Sequence, residues 1–128
     1  MKAKFLSVIS LSAATWMFSA QAAVDITAGQ SSYLRHCQAC HQADGNGMPR
    51  VFPPLAGNPH VSDPKHIAKT VVHGMSGPLT VNGVDYNSAM PPMAYLSDEE
   101  VSNIVAYVML QWSDTESSLT AEDVAALR

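Results

Sequence analysis

Three rhythms of hydrophobic and polar positions run along this 128-residue chain. From Phe5 to Phe18 the residues are apolar without a period, broken only by Ser7, Ser10, Ser12 and Thr15. From Ser97 onward, Val101, Ile104, Val105, Val108 and Trp112 recur at helical spacing, which predicts a helix with one buried face. Between them, Leu79-Thr80-Val81 and Val84-Asp85-Tyr86 flank Asn82-Gly83, two residues that tolerate positive φ, and predict a small two-stranded hairpin.

Further helices follow from their end signals. Asp25 or Thr27 caps a first helix running towards Cys37. Ser62 or Asp63 caps a second one, with Pro64 at its first position, Ile67, Val71 and Val72 on its apolar stripe, and Gly74 at its end. Ser97 and Glu100 form a capping box, and Asp98 and Glu99 favour the positive end of the same helix. Thr120 caps a short last helix, Ala121 to Leu127. Residues 42–62 hold Gly45, Gly47, Pro49, Pro53, Pro54, Gly57 and Pro59, too much punctuation for a helix or strand interior. A loop of that length is unusual in a compact domain unless it wraps a large ligand.

The aperiodic segment at the start reads as a secretory signal. Lys2 and Lys4 precede it and Ala20-Gln21-Ala22 ends it, so residues 1–22 are expected to be cleaved and residues 23–128 to form one domain. No other stretch is long and apolar enough to span a bilayer, and no stable membrane insertion is expected after cleavage. Loss of Lys2 and Lys4 leaves five basic residues against eleven acidic ones, a net charge of −6. That balance disfavours nucleic acid and anionic membrane surfaces and suits partners that present basic patches.

Both cysteines of the chain lie in Cys37-Gln38-Ala39-Cys40-His41. A disulfide closing so short a loop adds little stability, because the closure term grows with loop length. A redox dithiol needs a βαβ setting that the pattern lacks, and structural zinc needs a second ligand pair. Cys-x-x-Cys-His is the attachment signature of c-type haem: two thiols reach the two vinyl groups, and the following histidine supplies a proximal nitrogen. One covalently bound haem c is therefore expected, held by Cys37, Cys40 and His41.

A low-spin electron carrier needs a second axial ligand, and a thioether raises the potential by favouring ferrous iron. Met48, Met75, Met90, Met93 and Met109 are the candidates. Met48 is too close to His41 in sequence, Met109 sits within a helix, and Met75 follows a helix end. Met90 lies in Ser88-Ala89-Met90-Pro91-Pro92, where the prolines stiffen the backbone. Met90 is the first choice and Met93 the second. His36, His60, His66 and His73 are expected to be structural or surface residues. Tyr86, Asn87 and Arg50 are candidates for contacts to a haem propionate, Tyr86 or Asn87 alternatively to the ligand sulfur.

These residues give the chain a specific likeness. Gly29 and Tyr33 before Cys37, Pro53-Pro54-Leu55-Ala56-Gly57, Met90-Pro91 and Leu96-Ser97-Asp98-Glu99-Glu100 resemble the pattern of class I c-type cytochromes over nearly the whole span after residue 22. The resemblance implies an all-α cytochrome c fold: N- and C-terminal helices crossing, long loops wrapping one haem, and the hairpin near 79–86 as an addition. It places Gly29 and Tyr33 against Ile104 and Tyr107, gives the Pro53 carbonyl to the ring of His41, and gives Met90 to the iron. A narrower likeness, through Gly45-Asn46-Gly47-Met48-Pro49, His73-Gly74 and Met90-Pro91-Pro92, is to bacterial periplasmic monohaem domains, some of them haem domains or small subunits of dehydrogenases.

Three functions are open to such a chain. The first is a periplasmic electron carrier, not an enzyme, with donor and acceptor proteins as its partners. The second is the same domain as an electron-transfer subunit of a dehydrogenase or oxidase. The third, an open-site gas-binding or peroxidase-like protein, requires Met90 to leave the iron free.

Overall fold

A computed structural model describes residues 23–128; the expected signal at 1–22 lies outside the described residues. In chain order the elements are α1 (Ile26–His36), α2 (Gln38–His41), a 3-10 helix (Pro59–Ser62), α3 (Pro64–His73), β1 (Leu79–Val81), β2 (Val84–Tyr86), α4 (Asp98–Trp112) and α5 (Ala121–Ala125). The architecture is helical with one antiparallel hairpin, as the sequence pattern predicts.

The caps decide where the helices start. Asp25, rather than Thr27, accepts from the backbone N–H of Ala28 at 3.0 Å. Asp63, rather than Ser62, accepts from Lys65 and His66 at 2.9 and 3.2 Å, with Pro64 at the first helical position. Ser97 and Glu100 exchange both bonds of a capping box, and so do Thr120 and Asp123. Helix α5 ends at Ala125, short of the expected Leu127.

Helix α4 departs from expectation in one respect. Its periodicity predicts one buried face, yet every residue from Val101 to Met109 is buried. The helix is covered on several sides, by α1, α3 and α5, so its polar residues need partners of their own. Asn103 accepts from the N–H of Asp25 at 2.8 Å, and Ser102 donates to the carbonyl of Glu99 at 2.9 Å.

Contact between α1 and α4 closes the domain. Gly29 permits it: a Cβ there would stand 2.1 Å from the backbone oxygen of Asn103 and 3.0 Å from Cβ of Tyr107. One turn further on, Tyr33 is fully buried, its ring centroid 5.5 Å from that of Tyr107 and 5.1 Å from that of Trp112. Such tilted aromatic pairs add stabilisation beyond their buried area.

Strands β1 and β2 pair Leu79 with Tyr86, Thr80 with Asp85 and Val81 with Val84. Asn82 and Gly83 make the turn with φ of 50° and 79°. An isolated two-stranded hairpin is marginal in water. Here Val81 and Tyr86 are buried, and the Asn82 side chain donates to the Gly57 carbonyl at 3.0 Å, tying the hairpin to the preceding loop.

Candidate functional site

The site begins at the junction of α1 and α2. Cys37 ends α1, its N–H bonded to the Tyr33 carbonyl at 2.8 Å, and its own carbonyl accepts from Cys40 and His41 at 3.2 and 2.9 Å. That single turn, α2, brings Cys37, Cys40 and His41 onto the wall of one cavity. The cavity holds about 1320 Å³ of space free of protein atoms, its open mouth included. Its lining is dominated by apolar side chains, among them Phe52, Leu55, Val61, Ile67, Val71, Ile104 and Val108.

The long loop wraps this cavity and hydrogen-bonds to itself. The N–H of Gly47 donates to the His41 carbonyl at 3.0 Å, that of Leu55 to the Gly45 carbonyl at 2.7 Å, and Met48 bridges to Phe52. These bonds place Pro53 beside the imidazole. Nδ1 of His41 lies 3.0 Å from the Pro53 carbonyl oxygen. A carbonyl only accepts, so Nδ1 carries the proton and Nε2 keeps its lone pair. Burial lowers the pKa of His41, and the bond to Pro53 opposes that shift. The ring is thus a neutral, oriented nitrogen donor. Tyr33 reinforces the turn, its hydroxyl donating to the carbonyl of Gln42 at 2.6 Å. Burial first, then the nearby Cys37, drives the Tyr33 hydroxyl well above the usual phenol range, so it stays protonated as a donor.

As a thiol, Cys37 is a poor redox catalyst. Burial, then the neighbouring Cys40, pushes the Cys37 thiol up to about 12. Disulfide exchange needs thiolate, and catalytic cysteines have depressed values.

The methionines divide clearly. Met75, Met90 and Met93 line the cavity, whereas Met48 and Met109 do not. Met48 is exposed and Met109 is buried within α4. Met90 and Met75 exchange backbone bonds of 2.8 and 3.0 Å, and the N–H of Met93 donates to the Val71 carbonyl at 2.8 Å. Gly74, with φ of 72°, lets the end of α3 approach this segment: a Cβ there would lie 2.5 Å from the Met90 carbonyl oxygen.

Three of the histidines expected to be structural or surface residues stand at the site. His36, His60 and His66 all line the cavity, with the His60 and His66 ring centroids 5.5 Å apart. Nε2 of His36 is buried without a hydrogen-bond partner. His73 is not part of the cavity wall and lies 2.7 Å from the Leu127 carbonyl. Arg50, Tyr86 and Asn87, singled out for anion contacts, line a second pocket of mixed character, together with Asp85, and Leu79 belongs to the walls of both.

The donor set suits a haem. Two thiols and one neutral imidazole leave a single turn, thioethers come from another segment, and the walls between are apolar. A helical domain that converges these groups on one cavity is a c-type haem domain, a non-catalytic carrier of electrons. The chain belongs to the cytochrome c family: the family model "Cytochrome c" matches residues 26–112. Its cofactor is one covalently bound haem c.

Two kinds of relative match the chain. Cytochrome c-552 of Thermus thermophilus is 34% identical over 104 residues, covering 72% of this chain and 78% of that protein. The cytochrome c subunit of the quinone alcohol dehydrogenase of Gluconobacter oxydans is 39% identical over 105 residues, 79% of this chain but 22% of that subunit. The gluconate 2-dehydrogenase cytochrome c subunit of Pantoea cypripedii is 31% identical, over 81% of this chain and 24% of that protein.

Proposed function

We propose that the chain is a periplasmic monohaem electron-transfer protein, exported by residues 1–22 and functioning as a domain of residues 23–128, with His41 and Met90 as the two axial ligands. The observation that carries the reading is the pairing of His41 Nδ1 with the Pro53 carbonyl in a cavity that also receives Met90. When bound, the haem supplies the one-electron ferric/ferrous couple.

The protein's own residues then have separable tasks. Cys37 and Cys40 tether the group through thioethers, so it does not exchange. His41 presents Nε2, and Pro53 keeps the other ring nitrogen protonated and the ring in one orientation. Met90 offers a sulfur from a segment tied on one side to Met75 and stiffened on the other by Pro91 and Pro92. A thioether opposite an imidazole raises the potential. Apolar walls keep water away and limit reorganisation during electron transfer. Arg50, Tyr86 and Asn87, which line a second pocket with Asp85, would be the donors available to a haem propionate.

Two axial ligands leave no position for a substrate, which separates this reading from a gas-binding or peroxidase-like protein. The ferric protein is expected to show a methionine–iron charge-transfer band, and the ferrous protein not to bind carbon monoxide. Met90→Ala should abolish the band and admit carbon monoxide, while Met93→Ala leaves both unchanged. The reverse pattern would transfer the role to Met93, and high-spin wild-type iron would sink the carrier reading.

A second arrangement has its own support. Several relatives are named as cytochrome subunits of dehydrogenases, and the chain matches about a fifth of their length. The same domain would then accept electrons within a complex rather than by diffusion. In either arrangement the partners are redox proteins, favoured by basic docking surfaces against the acidic balance of residues 23–128. Co-purification from periplasm separates a stable complex from a free carrier. Among the described residues no helix is long and apolar enough to cross a membrane.

A further inference from the structure

One guanidinium gathers three acceptors from the turn that joins the Met90 segment to α4. Arg128 donates from Nη1 to the Ala94 carbonyl at 2.9 Å, from Nη2 to the Leu96 carbonyl at 2.6 Å, and from Nε to the Asp98 carboxylate at 2.5 Å. These acceptors lie 30 to 34 residues earlier in the chain. Arg128 is carried to them by the tail beyond α4, whose Leu119 and Val124 are buried in the core. His73, the last residue of α3, lies 2.7 Å from the Leu127 carbonyl and fixes the same tail from the other side.

The placement matters because of what the turn adjoins. Upstream, Met90 is bonded to Met75 and Met93 to Val71. Downstream, α4 begins at Asp98. Between these anchors the carbonyls of Ala94 and Leu96 point to Arg128. The planar fork of arginine can bind two carbonyls and a carboxylate together, which the single ammonium of lysine does less well. We propose that Arg128 is a positioning residue for the distal thioether. It clamps residues 94–98 and thereby opposes departure of the Met90 sulfur from the iron. The proposal rests on the assignment of Met90 as ligand.

The test uses the ferric holoprotein and imidazole, which competes with the methionine for the axial position. Apparent affinity for such a competitor rises with the fraction of molecules whose methionine has left. Loss of bonds to a charged donor predicts about tenfold tighter imidazole binding in Arg128→Gln, after discounting for partial exposure. Arg128→Lys, which keeps the charge beside Asp98, should tighten it about threefold and covers the case in which the glutamine variant does not fold. Val105→Ala, a core truncation outside the cavity wall, should lower the guanidinium midpoint and leave imidazole affinity within about twofold of wild type.

Tighter binding in the arginine variants alone supports the clamp. Arg128 variants within twofold of wild type, or an equal change in Val105→Ala, overturn it. A wild-type protein with no methionine–iron band overturns the ligand assignment first and the clamp with it. A normal wild-type band with unresponsive Arg128 variants overturns the clamp alone.

Discussion

Nδ1 of His41 and the carbonyl oxygen of Pro53 stand 3.0 Å apart across twelve residues of loop. By accepting from Nδ1–H, the carbonyl holds the proton on one ring nitrogen and so leaves the other free for metal. Its strength also governs how much charge the ring donates. Pro53→Ala keeps the carbonyl but frees its backbone. A bond weakened by about 1 kcal/mol more in the ferric than in the ferrous state raises the potential by roughly 40 mV. Equilibrium redox titration of wild type and variant reads this directly, and an unchanged or lower potential would refute it.

The two cysteines should act independently as tethers. Cys37→Ala and Cys40→Ala should each leave one thioether and one intact vinyl group, moving the pyridine haemochrome band to longer wavelength. The double variant should release its haem to acidified organic solvent, because only coordination then holds it.

Gly29 sets the distance between α1 and α4. Gly29→Ala drives a Cβ to 2.1 Å from the Asn103 backbone oxygen, so the helices must separate. The expected loss is about 2–3 kcal/mol, the upper part of the range for overpacking. Guanidinium unfolding should show a lower midpoint with an unchanged slope. A loss below about 0.5 kcal/mol would mean that the contact yields freely.

Asp123 ties pH to the tail. Its pKa is lowered by the backbone N–H and then the hydroxyl of Thr120, which favour the carboxylate. A depressed folded value means that the contribution is complete above the unfolded carboxylate pKa of about 3.9 and is lost as pH falls through the lower folded value. Amide exchange in α5 should therefore accelerate in acid before that in α4 does. In Asp123→Asn that acid step should disappear. Persistence of the step in the variant would assign it to another group.

What the sequence could disclose depended on the range of the interaction. The caps at Ser97 and Thr120, the Asn82-Gly83 turn and the Cys37–His41 motif are local chemistry, legible from neighbours in the chain. The position of Pro53 beside His41 entered through family resemblance, since nothing local dictates which loop carbonyl meets the ring. Burial of α4 all round from Val101 to Met109 was missed because Ser102 and Asn103 break the apolar pattern; their hydrogen bonds make them suitable interior residues. That His60 and His66 meet at the cavity was not legible, because nothing local indicates that the 3-10 helix and α3 bring them together. Arg128 gave no signal, because a polar residue with distant partners contributes to no period.

Closure of α1 on α4 has a consequence for how the group is held. Cys37 is only 7% exposed, and the cavity behind it draws its walls from Tyr33 through Val108. Tyr33 of α1 and Ile104 and Val108 of α4 share that wall. A haem tethered at Cys37 and Cys40 would therefore rest on the joint between the two helices, and whatever loosens the joint should loosen the grip on the group.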